Sequence, residues 1–215
     1  MLDAIFLVLF KPLKFFKQFF EDDNKYASQA LFIVLIVAIL SAISSYFGAA
    51  PMAELFPKGN PMGLISMLTT VISTLVMVFV FWLINGLIIR MAASKDVKPW
   101  AIAAYSISPQ ILLSTALIVI GALFPMNLPN IRLDIQDPVA FQEGMQRISN
   151  LMQTSFYGQS SRYLSYLGMA WSLLISFLGV RERAGNSKAI TVTLILGTLS
   201  ALFILLPILL KPVGG

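Results

Sequence analysis

The residues with the most chemistry to offer in the apolar part of this chain carry no charge. Tyr105-Ser106-Ile107-Ser108-Pro109-Gln110 gathers three hydroxyls, an amide and a helix-breaking proline within six positions, and Asn85 adds a second amide in the preceding apolar stretch. Such groups donate and accept hydrogen bonds but do not ionise near neutral pH. Pro109 lacks an N–H, so it frees the carbonyl near Tyr105 and kinks its helix. Two readings follow for Asn85, Tyr105, Ser108, Pro109 and Gln110: a hinge or polar cavity, or a hydrogen-bonded kink. Serine and threonine hydroxyls also bond back to their own helix, so they discriminate little between the two.

Ordinary acid–base and nucleophilic chemistry has no candidates beside them. The chain contains no histidine and no cysteine. That removes a Ser-His-Asp triad, an HExxH zinc site, thiolate metal sites and disulfides. There is no P-loop and no GxGxxG. Asp134, Asp137 and Glu143 lie in polar segments where capping and solvation account for them. The sequence therefore implies no catalytic, cofactor or metal site, and no enzyme.

The elements that must position these residues belong to a bilayer. Of 215 residues, 58% are hydrophobic and 12% charged, against about 25% charged in a soluble domain. In water such a chain would expose large apolar patches, which argues against a soluble enzyme or a nucleic-acid binder. Stretches free of Asp, Glu, Lys and Arg run over about 27–47, 64–89, 101–124, 164–180 and 189–210. A helix of about 20 apolar residues crosses the hydrocarbon core, and here every helix face is apolar rather than one stripe. The expected fold is all-α: a polytopic five-span transmembrane bundle over 27–215, preceded by a cytoplasmic amphipathic segment over 1–26.

Lysine and arginine set the topology. Lys11, Lys14, Lys17, Lys25, Arg90, Lys95, Lys98, Arg181, Arg183 and Lys188 fall on one side; Lys58, Arg132, Arg147, Arg162 and Lys211 fall on the other. The positive-inside rule puts the N-terminus in the cytoplasm and the C-terminus outside. A bacterial plasma membrane is the expected location. The apolar run Ala4–Phe10 follows an acidic Asp3 and has no small-residue cleavage site after it, so it does not read as a signal peptide.

From Pro12, phenylalanines 15, 16, 19 and 20 interleave with Lys14, Lys17 and Gln18. This predicts an amphipathic helix in the cytoplasmic interface. Pro12 stands at its first turn, Phe15, Phe16, Phe19 and Phe20 enter the acyl boundary, and Lys14 and Lys17 face anionic headgroups. The other reading, compatible with the first, is a helix packed beneath the bundle. A second amphipathic helix is predicted on the outer face, where Pro138 follows Asp137 and Phe141, Met145, Ile148 and Met152 recur at three- and four-residue spacing. It reads as a lid or as a partner contact. Small residues at every fourth position, Gly168-Ser172-Ser176, Thr193-Gly197-Ala201 and Ser41-Ser45-Ala49, predict close helix packing within the bundle, with self-association as the alternative.

Several of these pieces together resemble the Yip family (Ypt/Rab-interacting proteins) in its prokaryotic type. Pro12-Leu13-Lys14-Phe15-Phe16 is similar to the family's Pro-x-x-Phe-Phe segment before the first span. The basic loop Arg90–Lys98, followed by Trp100–Tyr105 and Pro109, resembles its Tyr…Pro element. Trp171, Gly179 and Gly185–Ala189 resemble its junction between the fourth and fifth spans. The resemblance implies five spans and a cytoplasmic N-terminus. Eukaryotic members are linked to Rab-type GTPases and to vesicle and membrane shaping. This sequence lacks the long hydrophilic N-terminal region of many of them, and GTPase binding is not carried over.

Two functions from different classes follow. The first is a non-enzymatic membrane protein that organises the bilayer, or serves as scaffold or regulatory subunit of a membrane complex. Its partners would be lipids, with anionic headgroups at the N-terminal helix, and a protein in the membrane or a further copy of itself. The alternative is a small transporter, channel or lipid-moving protein using the polar faces of the second and third spans.

Overall fold

In the computed structural model the chain is described over residues 2–21, 23–53, 56, 61–125 and 138–209. The described secondary structure is helical throughout: α1 (Leu2–Phe10), α2 (Pro12–Glu21), α3 (Asp23–Ala53), α4 (Pro61–Ala93), α5 (Pro99–Ser106), α6 (Pro109–Leu123), α7 (Pro138–Thr154), α8 (Phe156–Ala184) and α9 (Asn186–Leu209), with a 3-10 turn at Lys95–Val97. Four segments are long and apolar enough to cross a membrane: Ser28–Pro51, Pro61–Ala93, Pro99–Leu123 and Phe156–Ala184. The expected fifth lies on α9, whose stretch Asn186–Leu202 is apolar but shorter.

The helices run further than the charge-free stretches. Polar residues extend a helix whenever its backbone bonds remain inside the helix, and the membrane only requires the middle to be apolar. Thus α4 has 33 residues, about 50 Å at 1.5 Å per residue, and carries its Arg90 in the last turn. The third apolar stretch, expected as one kinked span, is two helices, with Ile107 and Ser108 between α5 and α6 and Pro109 as the first residue of α6. Proline suits that position because its missing N–H would be unpaired there anyway. Asp137, expected as the cap of α7, lies outside the described residues.

The chain divides into two compact units. The first comprises 1–34, 80–109 and 168–215. It holds α1, α2, α5, α9 and the neighbouring parts of α3, α4 and α8. Lys11 bridges α1 and α2 with continuous bonding, its N–H reaching the Leu7 carbonyl at 2.7 Å and its carbonyl accepting from the Phe15 N–H at 3.0 Å. Gly185 turns α8 into α9 with φ of 86°, a left-handed conformation that costs glycine little. Its N–H bonds the Arg181 carbonyl at 3.0 Å.

The second unit comprises 35–79 and 110–167. Its seam lies between α3 and its neighbours. Ser41 and Ser114 hydroxyls meet at 3.2 Å, and the Tyr157 hydroxyl donates to the Ser44 carbonyl at 2.6 Å. A Cβ at Gly48 would stand 3.3 Å from the Tyr157 ring, and one at Gly121 would stand 2.6 Å from Phe47 Cβ. These contacts of α3 run through Ser41, Ser44 and Gly48; of the expected row Ser41, Ser45 and Ala49, Ala49 is buried as well. On α7, Ile148 is buried while Gln142, Glu143, Gln146 and Asn150 are exposed. Of the expected apolar stripe, Ile148 is buried, Phe141 and Met152 are half-buried, and Met145 is exposed.

Candidate functional site

The first unit is organised around an aromatic cluster. On α2, residues 15, 16 and 19 share one face because they are spaced by one, three and four positions, and all three rings are fully buried. Phe15 packs on Phe16 (5.1 Å between centroids), Tyr26 (5.5 Å) and Tyr105 (4.5 Å). Phe19 reaches Tyr105 at 5.9 Å. The tilted and edge-on arrangements are those the ring quadrupoles favour. Phe16 presses on α8: a Cβ at Gly179 would stand 2.8 Å from the Phe16 ring and 3.0 Å from Ile102. Phe20 is half-buried, with the Arg183 guanidinium 5.8 Å over its ring. The rings of Phe15, Phe16 and Phe19 are occupied by the protein, as a helix packed beneath the bundle requires. On the opposite side Lys14 and Lys17 are exposed, as is Lys11 just before the helix.

Tyr105 anchors this cluster to the break in the third span. Its ring is fully buried and its hydroxyl donates to the Tyr26 carbonyl at 3.0 Å. The carbonyl freed by Pro109 is that of Tyr105 itself, and Ser108 satisfies it twice, from Oγ at 2.7 Å and from N–H at 3.1 Å. The Ser106 hydroxyl likewise bonds the Ala103 carbonyl at 2.8 Å. Buried polar groups without partners are costly, and here each hydroxyl answers a backbone oxygen. Pro109 is buried as well.

The other expected residues do not join it. Gln110 is half-buried and belongs to the second unit. Asn85 is half-buried on α4, and among the described residues no hydrogen bond joins it to Tyr105 or Ser108. In the small-residue rows Gly168 and Ser176 are buried, Ser172 is half-buried, and Gly197 faces Leu173 at 3.8 Å. Ala201 is exposed.

Sequence reasoning missed a second feature of the same unit. The Trp100 ring lies on α4 at Gly86, where a Cβ would collide with it. The Trp82 indole N–H donates to the Trp100 carbonyl at 2.9 Å. The Gly86–Trp100 spacing spans a loop, so only the fold could bring them together. Lys188 is also drawn in, its ammonium bonding the Ala93 carbonyl at the end of α4 at 3.0 Å. Gln29 Oε1 is buried with no hydrogen-bond partner among the described residues.

Among proteins of known families, the model of the Yip1 domain matches residues 6–210. The chain belongs to the Yip1-domain family. No curated protein and no solved structure matches it. The Yip1-domain match covers α2, the Tyr105–Pro109 break and the α8–α9 turn alike. Together with the apolar helices it makes the chain an integral membrane protein of all-α fold. Within that Yip1 domain the aromatic cluster can hold elements in place, and its polar groups are engaged by the backbone.

Proposed function

We propose that this Yip1-domain protein is a non-enzymatic scaffold or regulatory subunit of a membrane complex, and that α2 is its fixed, basic cytoplasmic plate. The observation that carries this reading is the division of α2: Phe15, Phe16 and Phe19 are fully buried, while Lys14 and Lys17 stand exposed on its other face, with Lys11 exposed just before it. A helix tied down on one face presents its other face in a constant position. A row of lysines so held attracts acidic protein surfaces and anionic headgroups.

The charge distribution favours a cytoplasmic N-terminus and five spans, with α9 as the fifth. Lys11, Lys14, Lys17, Arg90, Lys95, Lys98, Arg181, Arg183 and Lys188 all fall in the first unit, and Arg147 and Arg162 fall in the second. The membrane proposed is a bacterial plasma membrane.

The test is a photo-crosslinker at Gln18, on α2 beside Lys14 and Lys17, in native membranes. A protein captured in stoichiometric yield, and lost when Lys11, Lys14 and Lys17 become Gln, supports the reading. Adducts to lipid alone, unchanged by those substitutions, reject the scaffold. The transport alternative draws less support, because the Tyr105 and Ser108 hydroxyls are buried and bonded to carbonyls rather than lining a path.

A further inference from the structure

Outside the aromatic cluster the first unit contains a cavity of about 410 Å3, where the last turn of α4 meets the Lys95–Val97 turn and the start of α5. Arg90, Lys95 and Lys98 line it on the polar side; Leu31, Trp82 and Trp100 line it on the apolar side. Among the described residues no carboxylate pairs with Arg90 or Lys95. Asp96 is turned to Ser94, whose hydroxyl donates to Asp96 Oδ2 at 3.1 Å and accepts from the Asp96 N–H at 3.1 Å. The backbone here is strained as well: Ser94 (φ 123°) and Lys98 (φ 55°) are the non-glycine residues with left-handed φ among those described. Strained residues persist where their surroundings over-determine them, as at ligand clamps.

We infer that this cavity binds the phosphate headgroup of an anionic phospholipid, with an acyl chain leaving along Leu31. The shared chemistry is a phosphate anion facing the cations of Arg90 and Lys95. Arginine meets phosphate oxygens with a bidentate fork, and lysines add point charge. The apolar side favours a lipid over a free phosphate ion. Leu31 is 58% exposed on the apolar part of α3, and tryptophans sit naturally at headgroup level. A free ion gains nothing from such a wall, whereas a lipid covers it. The ordinary role of loop cations, setting topology, requires neither a cavity nor a tryptophan pair held rigid by the Trp82–Trp100 hydrogen bond.

The tryptophans supply the readout. The chain has three, so Trp171→Phe leaves only the two that line the cavity. The full-length protein is reconstituted in phosphatidylcholine vesicles containing a minor fraction of acyl-brominated phosphatidylglycerol or, in parallel, acyl-brominated phosphatidylcholine. Brominated phosphatidylglycerol is expected to quench more strongly, and Arg90→Gln with Lys95→Gln to bring quenching down to the phosphatidylcholine level. Each lost cation should weaken the preference about fivefold. Excess inorganic phosphate should leave the preference in place. Equal quenching by the two lipids overturns the inference, as does a preference that survives Arg90→Gln/Lys95→Gln. Abolition by inorganic phosphate overturns the lipid assignment in favour of a free anion. Lys95→Gln alone, on an exposed turn, serves if the double variant fails to fold, with a smaller loss of preference expected and an unchanged preference counting against the site.

Discussion

Tyr105 and Gly86 show how single residues hold the first unit. The Tyr105 ring packs on Phe15 and Phe19 while its hydroxyl reaches across to Tyr26. Tyr105→Phe keeps the ring and removes one hydrogen bond, and should cost about 0.5–1.5 kcal/mol. Tyr105→Ala also removes the packing and should cost about 3–5 kcal/mol. Thermal unfolding of the purified protein in mild detergent distinguishes the two; equal losses would mean that the ring contributes nothing. At Gly86 the demand is steric. Gly86→Val places methyl groups where the Trp100 ring lies and should destabilise by about 1–3 kcal/mol through overpacking. A shifted tryptophan emission would report that Trp100 has left α4, and unchanged emission and stability would contradict the close approach.

At the scale of elements, the break between α5 and α6 is maintained by chemistry local to it. Pro109 removes one N–H, and Ser108 compensates by donating twice to the Tyr105 carbonyl. Ser108→Ala should cost about 0.6–2 kcal/mol, the range of such bonds within membranes. In a Pro109→Ala background the restored N–H can reach the same carbonyl, four residues back, so Ser108→Ala should then cost less. A double-mutant cycle measures this coupling, and strict additivity would show that the serine and the proline act independently. The α2 element makes a different demand. Phe16→Ala opens a cavity against Gly179 and Ile102 and should cost about 3–5 kcal/mol, read as early proteolysis of the N-terminal segment. A polar substitution at exposed Lys14 should leave that proteolysis unchanged.

For the whole molecule the testable property is its sidedness. The native chain has no cysteine, so single cysteines report without background. Lys17→Cys on α2 and Gln146→Cys on α7 are both at exposed positions. In intact cells a membrane-impermeant maleimide should label Gln146→Cys, and should label Lys17→Cys only after lysis. The reverse pattern would invert the orientation proposed from lysine and arginine. Labelling of both sites in intact cells would mean that the two sites share the outer face.

The sequence alone determined that this chain is an all-α membrane protein, because an uninterrupted apolar stretch of about 20 residues has one stable solution in lipid. It also located α2, α7 and the disturbance at Pro109, since periodicity and a missing N–H act within one helix turn. What it left open was decided by contacts between residues distant in the chain. The Phe face of α2 satisfies two patterns equally, interface insertion and packing, until Tyr26, Tyr105 and Gly179 are brought beneath it. The α3 seam runs through Ser41, Ser44 and Gly48 because Ser114 and Tyr157 approach there, and no spacing rule names the partner helix. The cationic cavity exists only because Gly86 lets the Trp100 ring lie on α4, placing Arg90, Lys95 and Lys98 around one volume. Local rules specify which helices form; which faces meet depends on side-chain shape across tens of residues, and that information resides in the tertiary structure.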